Sequence, residues 1–372
     1  MVLLPAAVRK IAMRSILRLI HKYLGLALGA LWLLQAMTGV LIVFQGEIGD
    51  ATLRGPDRPL APTAFAAAVE RLAAARAPAT LNWIMASEGS PNRYDLLFGD
   101  AEDRTHSVRV DGEGAVLRDI PRDFDYPAPG LFQIAHDLHE TLLAGDRAKW
   151  LLGLSGFVLL INLALALTLA WPASGQPWRR VLLPGAAGPA AAKFYKWHRA
   201  LGLLLFAPAL VIVACGVLQE WPADRWLGVD SPAPPVDAAK PPGNAGLGAA
   251  LATALQRYPG AALALVEMPG TDQPWYRVRL RQPGEIRRVF GQTTVYVDAR
   301  DGAVLLDRDA FKLPLNEKIS NAFYPVHTGE FIGLPGRIVS LLSGLSLIAM
   351  IVLGAGVWWT RRRARTPAKV QR

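Results

Sequence analysis

Four stretches of this chain are too long and too apolar to be the interior of an ordinary soluble domain. They run at about Leu24–Phe44, Trp150–Trp171, Leu201–Leu218 and Ile338–Trp359. Each is close to the ~20 residues a helix needs to cross the hydrocarbon core of a bilayer. Each ends in charges, Pro or Trp, as segments do where membrane meets water. The composition agrees, with 52% hydrophobic residues in a chain of 372. Everything else must be arranged around four crossings.

Charge orients those crossings. The net charge of +10 is concentrated in three acid-free segments. Residues 1–22 hold Arg9, Lys10, Arg14, Arg18 and Lys22; residues 172–199 hold Arg179, Arg180, Lys193, Lys196 and Arg199. The tail after Thr360 holds Arg361, Arg362, Arg363, Arg365, Lys369 and Arg372. Elsewhere acids outnumber bases. Positive residues stay on the cytoplasmic side, which puts both termini there and the long segments 45–149 and 219–337 outside. The basic balance therefore reports orientation, and no aromatic-basic motif supports nucleic-acid binding. The first span reads as an uncleaved anchor, too long for a signal peptide and followed by no clear small-x-small site. The single cysteine, Cys215, lies in the third span, so the outer segments carry no disulfide, Cys-ligated metal or Cys nucleophile.

The chain is also written twice. "HKYLGLAL" (His21–Leu28) matches "HRALGLLL" (His198–Leu205), and Thr38-Gly39-Val40 matches Cys215-Gly216-Val217. Gly39 lies 18 residues after His21, and Gly216 lies 18 after His198. His139 precedes Gly145, Ser155-Gly156 and Trp171; His327 precedes Gly333, Ser343-Gly344 and Trp359 at the same offsets of 6, 17 and 32. Ungapped equal offsets are a specific signal of duplication. The outer segments repeat too. Each has a helical stretch (Phe65–Ala75, Leu247–Gln256), strand-like runs, and then "VRVDGEGAVL" (Val108–Leu117) or "VYVDARDGAVL" (Val295–Leu305). In both, a strand ends in Val-Asp, a Gly-containing turn follows, and Ala-Val-Leu starts another strand. The expected architecture is a four-helix transmembrane bundle of two parallel repeats, related by a pseudo-two-fold along the membrane normal, with two small α+β domains outside. No span is expected to be broken.

Duplication sorts the histidines. His21 and His198 fall at the cytoplasmic ends of spans one and three, and His139 and His327 fall just outside spans two and four. A pseudo-two-fold would bring each pair face to face. Paired imidazoles across a helical bundle suit a bis-His haem. Gly25 and Gly202 lie one turn beyond His21 and His198 on the same face and would let a macrocycle lie against backbone. Lys22 and Arg199 would neutralise its propionates. The competing reading is an interfacial histidine with GxxxG-like helix packing at Gly25–Gly29; four histidines in matched pairs favour haem. A bare metal site would recruit carboxylates or Cys, which the spans almost lack. His136, at i−3 from His139, has Tyr324 as its counterpart and so stands outside the symmetric set, as an outlying donor, an alternative ligand or an interfacial residue. His106 reads as a surface residue. Gln35, Asn162 and Gln219 read as helix–helix hydrogen-bonding groups.

The segments "IHKYLGLALGALWLLQAMTGVLIVFQGEI", "DLHETLLAGDRAKWLLGLSG", "KWHRALGLLLFAPALVIVACGVLQ" and "HTGEFIGLPGRIVSLLSGLSLIAMIVLGAGVWW" together resemble the PepSY-associated transmembrane family of bacterial inner-membrane proteins. The outer "VYVDARDGAVL" is similar to the end of a PepSY domain. The resemblance implies spans at 1–45, 148–172, 197–219 and 337–360, PepSY-like periplasmic domains at 46–147 and 220–336, a cytoplasmic loop at 173–196 and a basic cytoplasmic tail at 361–372. It also implies a role, since some members are haem-containing ferrisiderophore reductases. The expectation is an inner-membrane protein with two haem b groups. It would take electrons from quinol or a cytoplasmic reductase, because no flavin or nicotinamide fingerprint is present. It would deliver them to a ferric siderophore or other ferric chelate in the periplasm. Rival readings are a non-enzymatic envelope module, in which the PepSY-like domains bind peptides or restrain a protease, and a siderophore or metal transporter subunit. The transporter reading is disfavoured by the expectation of unbroken spans without midplane charges.

Overall fold

A computed structural model describes residues 6–100, 105–121, 127–185, 187–221, 223–229, 232–235, 237, 240–270 and 272–365. The end of the basic tail, beyond Arg365, lies outside the described residues. In chain order, the first half carries helices α1 (Ala6–Ile42), α2 (Gln45–Ala51) and α3 (Pro62–Ala75). Strands β1 (Thr80–Ala86), β2 (Arg93–Gly99), β3 (Thr105–Asp111) and β4 (Val116–Pro121) follow, then α4 (Pro127–Thr141) and α5 (Asp146–Ala170). Short α6 (Trp178–Leu182) leads to α7 (Ala190–Leu204), α8 (Phe206–Glu220), α9 (Ala223–Leu227) and α10 (Gly246–Arg257). Strands β5 (Ala262–Glu267), β6 (Trp275–Arg281), β7 (Thr293–Asp298) and β8 (Val304–Arg308) precede α11 (Leu315–Thr328) and α12 (Leu334–Arg365).

Among the described residues, three helices are long and apolar enough to cross a membrane, at Ala12–Ile42, Asp146–Ala170 and Leu334–Ala364. The expected third span is not one rod. It is the pair α7 and α8, bent by 67° at Leu205, which corrects the expectation of unbroken spans. Pro208 explains the break. Its ring removes one N–H and clashes with the carbonyl four residues back, at Leu204, where α7 ends. The first copy has Leu31 at the matching place and stays helical.

The duplicated glycines have structural reasons. Gly145 and Gly333 sit at φ 68° and 67°, turning the chain from each histidine-bearing helix into the span that follows. Any other residue would be strained there. Gly156 and Gly344 let helices approach. A Cβ on Gly156 would lie 2.6 Å from Val217 Cγ2, and one on Gly344 would lie 2.6 Å from Val40 Cγ2. These two contacts join α5 to α8 and α12 to α1 at the matched Gly-Val pairs.

Outside the spans, the strands form one antiparallel sheet of order β4-β3-β2-β1-β5-β6-β7-β8. The two expected α+β units are present as four-stranded halves, but they are fused edge to edge. Central strands β1 and β5 pair with Ile84 opposite Val266. A single core runs across the seam. Phe65 and Val69 of α3 and Leu247 and Leu251 of α10 are fully buried on one face, over Ile84, Leu96, Val266 and Val278. Each such aliphatic or aromatic side chain contributes about 2 kcal/mol on burial. The repeated Val-Asp closes each outer hairpin. Asp111 Oδ1 accepts from the Ala115 N–H at 2.8 Å, and Asp298 Oδ1 accepts from the Arg300 N–H at 2.9 Å.

The other face of the sheet is polar and is tied to the span ends. Asp50 of α2 is buried and accepts from Arg109 and, at 2.7 Å, from the Ser90 N–H. Arg109 also holds Asp95 through two bonds at 2.6 and 2.7 Å. Glu47 of the same helix accepts from Arg337 of α12 and, at 2.9 Å, from Arg288. Burial alone would raise the Glu47 carboxyl, but the Arg337 hydrogen bond and the two positive charges hold it below the usual range. Removing one partner of a buried ion pair strands the other. Asp50→Ala is therefore expected to destabilise the outer sheet by about 3 kcal/mol, read as a lower Tm in detergent.

Candidate functional site: two imidazole pairs

The four duplicated histidines meet in two pairs. The His21 and His198 ring centroids are 6.1 Å apart, with the planes at 59°. Those of His139 and His327 are 6.0 Å apart, at 40°. Along α1, His21 and Gly39, against which His139 packs, are separated by about 27 Å at 1.5 Å per residue. That is close to the ~30 Å of a hydrocarbon core.

Each ring is held by the same nitrogen. His327 Nδ1 donates to the Ile212 carbonyl at 2.8 Å, and His139 Nδ1 donates to the Gln35 carbonyl at 3.1 Å. Gln35 and Ile212 occupy the same place relative to His21 and His198. Thr38 Oγ1 also lies 3.1 Å from His139 Nδ1. His198 Nδ1 donates to the Met350 carbonyl at 2.8 Å, and His21 Nδ1 to Asn162 Oδ1 at 2.9 Å. Met350 and Asn162 are likewise matched, 23 residues beyond His327 and His139. A carbonyl oxygen can only accept, so the proton of each ring belongs on Nδ1. The lone pair of each neutral ring is then on Nε2, for which the described residues offer no hydrogen bond. Burial, followed by the facing His327, pushes the His139 imidazole down to about 3, and burial also lowers His327. Both outer rings are therefore neutral at physiological pH.

Glycine sets how close three of the four rings come. A Cβ on Gly39 would lie 3.0 Å from His139 Cε1, and one on Gly216 would lie 2.9 Å from His327 Cε1. Gly354 plays the same part for His198, at 3.3 Å. Gly25 differs, because a Cβ there would meet nothing within 4 Å. Its expected twin, Gly202, is covered by Met350, whose Sδ would lie 3.2 Å from such a Cβ.

The remaining sequence candidates lie elsewhere. Lys22 Nζ sits 3.9 Å over the Tyr23 ring. Arg199 Nε donates to the Ala170 carbonyl at 2.8 Å, fastening the end of α5. His136 stands 3.3 Å from Glu140 and 3.7 Å from Asp137 on its own helix. His106 lies on β3, one strand in from the β4 edge of the sheet, 3.8 Å from Asp100. Asn162, read from the sequence as a helix–helix hydrogen-bonding group, makes such a bond between α5 and α1, and its partner there is the His21 ring. Its sequence signal was a lone amide in an apolar span. The carbonyls of Gln35, Ile212 and Met350 left no signal, because backbone acceptors belong to every residue.

Among the described residues no three His, Cys, Asp or Glu side chains converge on a common point. Two imidazoles alone leave a bare ion short of ligands, whereas a planar macrocycle supplies four of its own. With metal–nitrogen bonds of about 2 Å and about 1 Å from each nitrogen to its ring centre, two axial imidazoles place their centroids about 6 Å apart. Both pairs have that spacing, and the open side of Gly25 leaves room beside the inner one. The donor set therefore fits haem.

The fold and the paired rings define a multi-pass membrane protein with an antiparallel sheet beyond its spans and two imidazole pairs. The profile of the PepSY-associated TM region matches residues 18–361, and the chain belongs to that family. No curated protein matches it.

Proposed function

We propose that each imidazole pair holds one haem b, and that the protein passes single electrons across a bacterial inner membrane to a periplasmic ferric chelate of the siderophore type. In this reading the chain is a four-span bundle of two parallel repeats with both termini cytoplasmic. His21 and His198 serve the cytoplasmic side, and His139 and His327 the periplasmic side. The observation that carries it is the common state of the four rings: Nδ1 committed to an oxygen, Nε2 free, and the centroids 6.0–6.1 Å apart. Haem would supply an iron that takes up and releases one electron at a time. The chain's part is to fix each tautomer, hold the rings in register and exclude water from them. Reduction of Fe(III) to Fe(II) weakens binding by hard oxygen donors and frees the metal without breaking the chelator.

The test is the absorption spectrum of the protein purified in mild detergent after haem-sufficient expression, oxidised and dithionite-reduced. A Soret band and sharp reduced α-bands are expected; a colourless protein would sink the reading. The break at Pro208 gives a transporter reading some support, since discontinuous helices line many transport sites. A colourless protein that still moves iron across vesicles would favour it.

The orienting groups make a finer prediction. Asn162→Leu leaves His21 Nδ1 without its acceptor. It is expected to weaken the cytoplasmic-side haem by 10–100-fold, the usual cost of losing such a partner. Haem transfer to apomyoglobin measures this, and the periplasmic-side haem should transfer at the wild-type rate.

A further inference from the structure

The sheet halves differ most on their polar face. β6 turns Tyr276, Val278 and Leu280 into the core and Arg277, Arg279 and Arg281 to the other side. Register equates Arg279, opposite Thr294, with Leu97, opposite Ser107, in the first half. An apolar side chain thus satisfies the fold at this place. The loop that follows, 282–292, has only the short 100–104 as its counterpart. Glu285 pins it by accepting from the N–H groups of Gln282 and Gln292, at 2.9 and 2.6 Å.

That loop carries Arg287 back beneath the sheet. Its guanidinium lies 4.6 Å from the centroid of Tyr324, which is one turn before His327 on α11. Arg277 is neutralised by Glu267 at 2.7 Å, and Arg288 by Glu47. Arg279 and Arg287 are not. Among the described residues neither has a carboxylate within 4 Å, and the Nε of each is buried without a hydrogen-bond partner. Arg279 Nη2 has only the Gly291 carbonyl, at 2.7 Å. Burial, then repulsion from Arg287 and Arg277, pushes the Arg279 guanidinium down to about 10. Glu285 attracts Arg279 and Glu330 attracts Arg287 from farther off, and the Glu330 carboxyl is raised to about 7 by burial. Two desolvated like charges with open donors are costly unless an anion joins them.

We propose that Arg279 and Arg287 form a carboxylate-binding site beside the outer imidazole pair. The guanidinium fork suits a planar carboxylate better than any other common anion except phosphate. Resting on the reductase reading, this narrows the substrate to anionic ferric chelates whose free carboxylates face the protein. A propionate of an outer haem offers the same chemistry and is the second source.

The experiment uses full-length protein in detergent, radiolabelled iron(III) citrate as probe, and Arg279→Leu and Arg287→Gln. The leucine copies Leu97, and the two changes lie on different elements, so one misfolded variant leaves the other informative. A tenfold or greater loss of citrate-iron binding with unchanged haem content assigns the site to the chelate. Unchanged citrate-iron binding with faster loss of the outer haem, or a shift in its potential, assigns it to the propionate. Wild-type values for binding, haem retention and potential in both folded variants would overturn the site. A protein without a Soret band would end the reductase reading alone; the citrate arm would still decide the site, with equal or absent binding overturning it.

Discussion

His327→Ala is expected to remove about one of two haems per chain and to leave the other spectroscopically intact. The arithmetic follows from separation. His327 faces His139 at 6.0 Å and touches neither His21 nor His198, whose pair lies about 27 Å away along α1. Deleting one axial imidazole leaves the outer site with a single ligand and an alanine-sized space in place of a ring. His21→Ala should remove the complementary haem, so that the two difference spectra add to that of the wild type. His106→Ala should remove none, since that ring sits on β3 of the sheet against Asp100. Pyridine haemochrome quantification against protein concentration measures all three. Loss of both haems from either single change would mean one shared site and would contradict the two-pair geometry. Equal loss from His106→Ala would mean that the signal reports stability rather than ligation.

Much of this was legible because the chain repeats itself. The ungapped offsets of the repeat match His21 with His198 and His139 with His327, and each pair meets ring to ring. The glycines at offset 6 were visible as matched letters, but their positive φ was not. Those at offset 17 gave no hint that each takes a valine from the other half. What the repeat obscured was difference between its halves. Pro208 has no counterpart in the first copy, so the likeness of "HRALGLLL" to "HKYLGLAL" suggested a straight third span, and the ring at Pro208 broke it. Two matched α+β segments likewise suggested two domains. β1 and β5 each present an edge, and a period-2 pattern reads the same whether that edge meets solvent or another strand. The Arg279–Arg287 pair was hidden for a related reason. It depends on a loop with no long counterpart, and on a strand position where the first half has leucine.

Gly25→Leu should separate a cofactor seat from a packing contact more sharply than any ligand mutation. If Gly25 were a helix-packing glycine, like Gly156 or Gly344, a side chain there would collide with a neighbouring helix and destabilise the protein. A Cβ at Gly25 meets no atom within 4 Å. Replacing a mid-helix glycine with a good helix former should then stabilise the haem-free protein, by about 0.5–1 kcal/mol. In the haem-loaded protein the same leucine projects one turn beyond His21, on its face, where the macrocycle would lie. The expected result is loss of most of the cytoplasmic-side haem, an unchanged periplasmic-side haem, and a Tm of haem-depleted protein equal to or above wild type. Gly202→Leu is the internal comparison, because Met350 already covers that glycine, with its Sδ 3.2 Å from a Cβ there. Full retention of both haems in Gly25→Leu would remove Gly25 from the site.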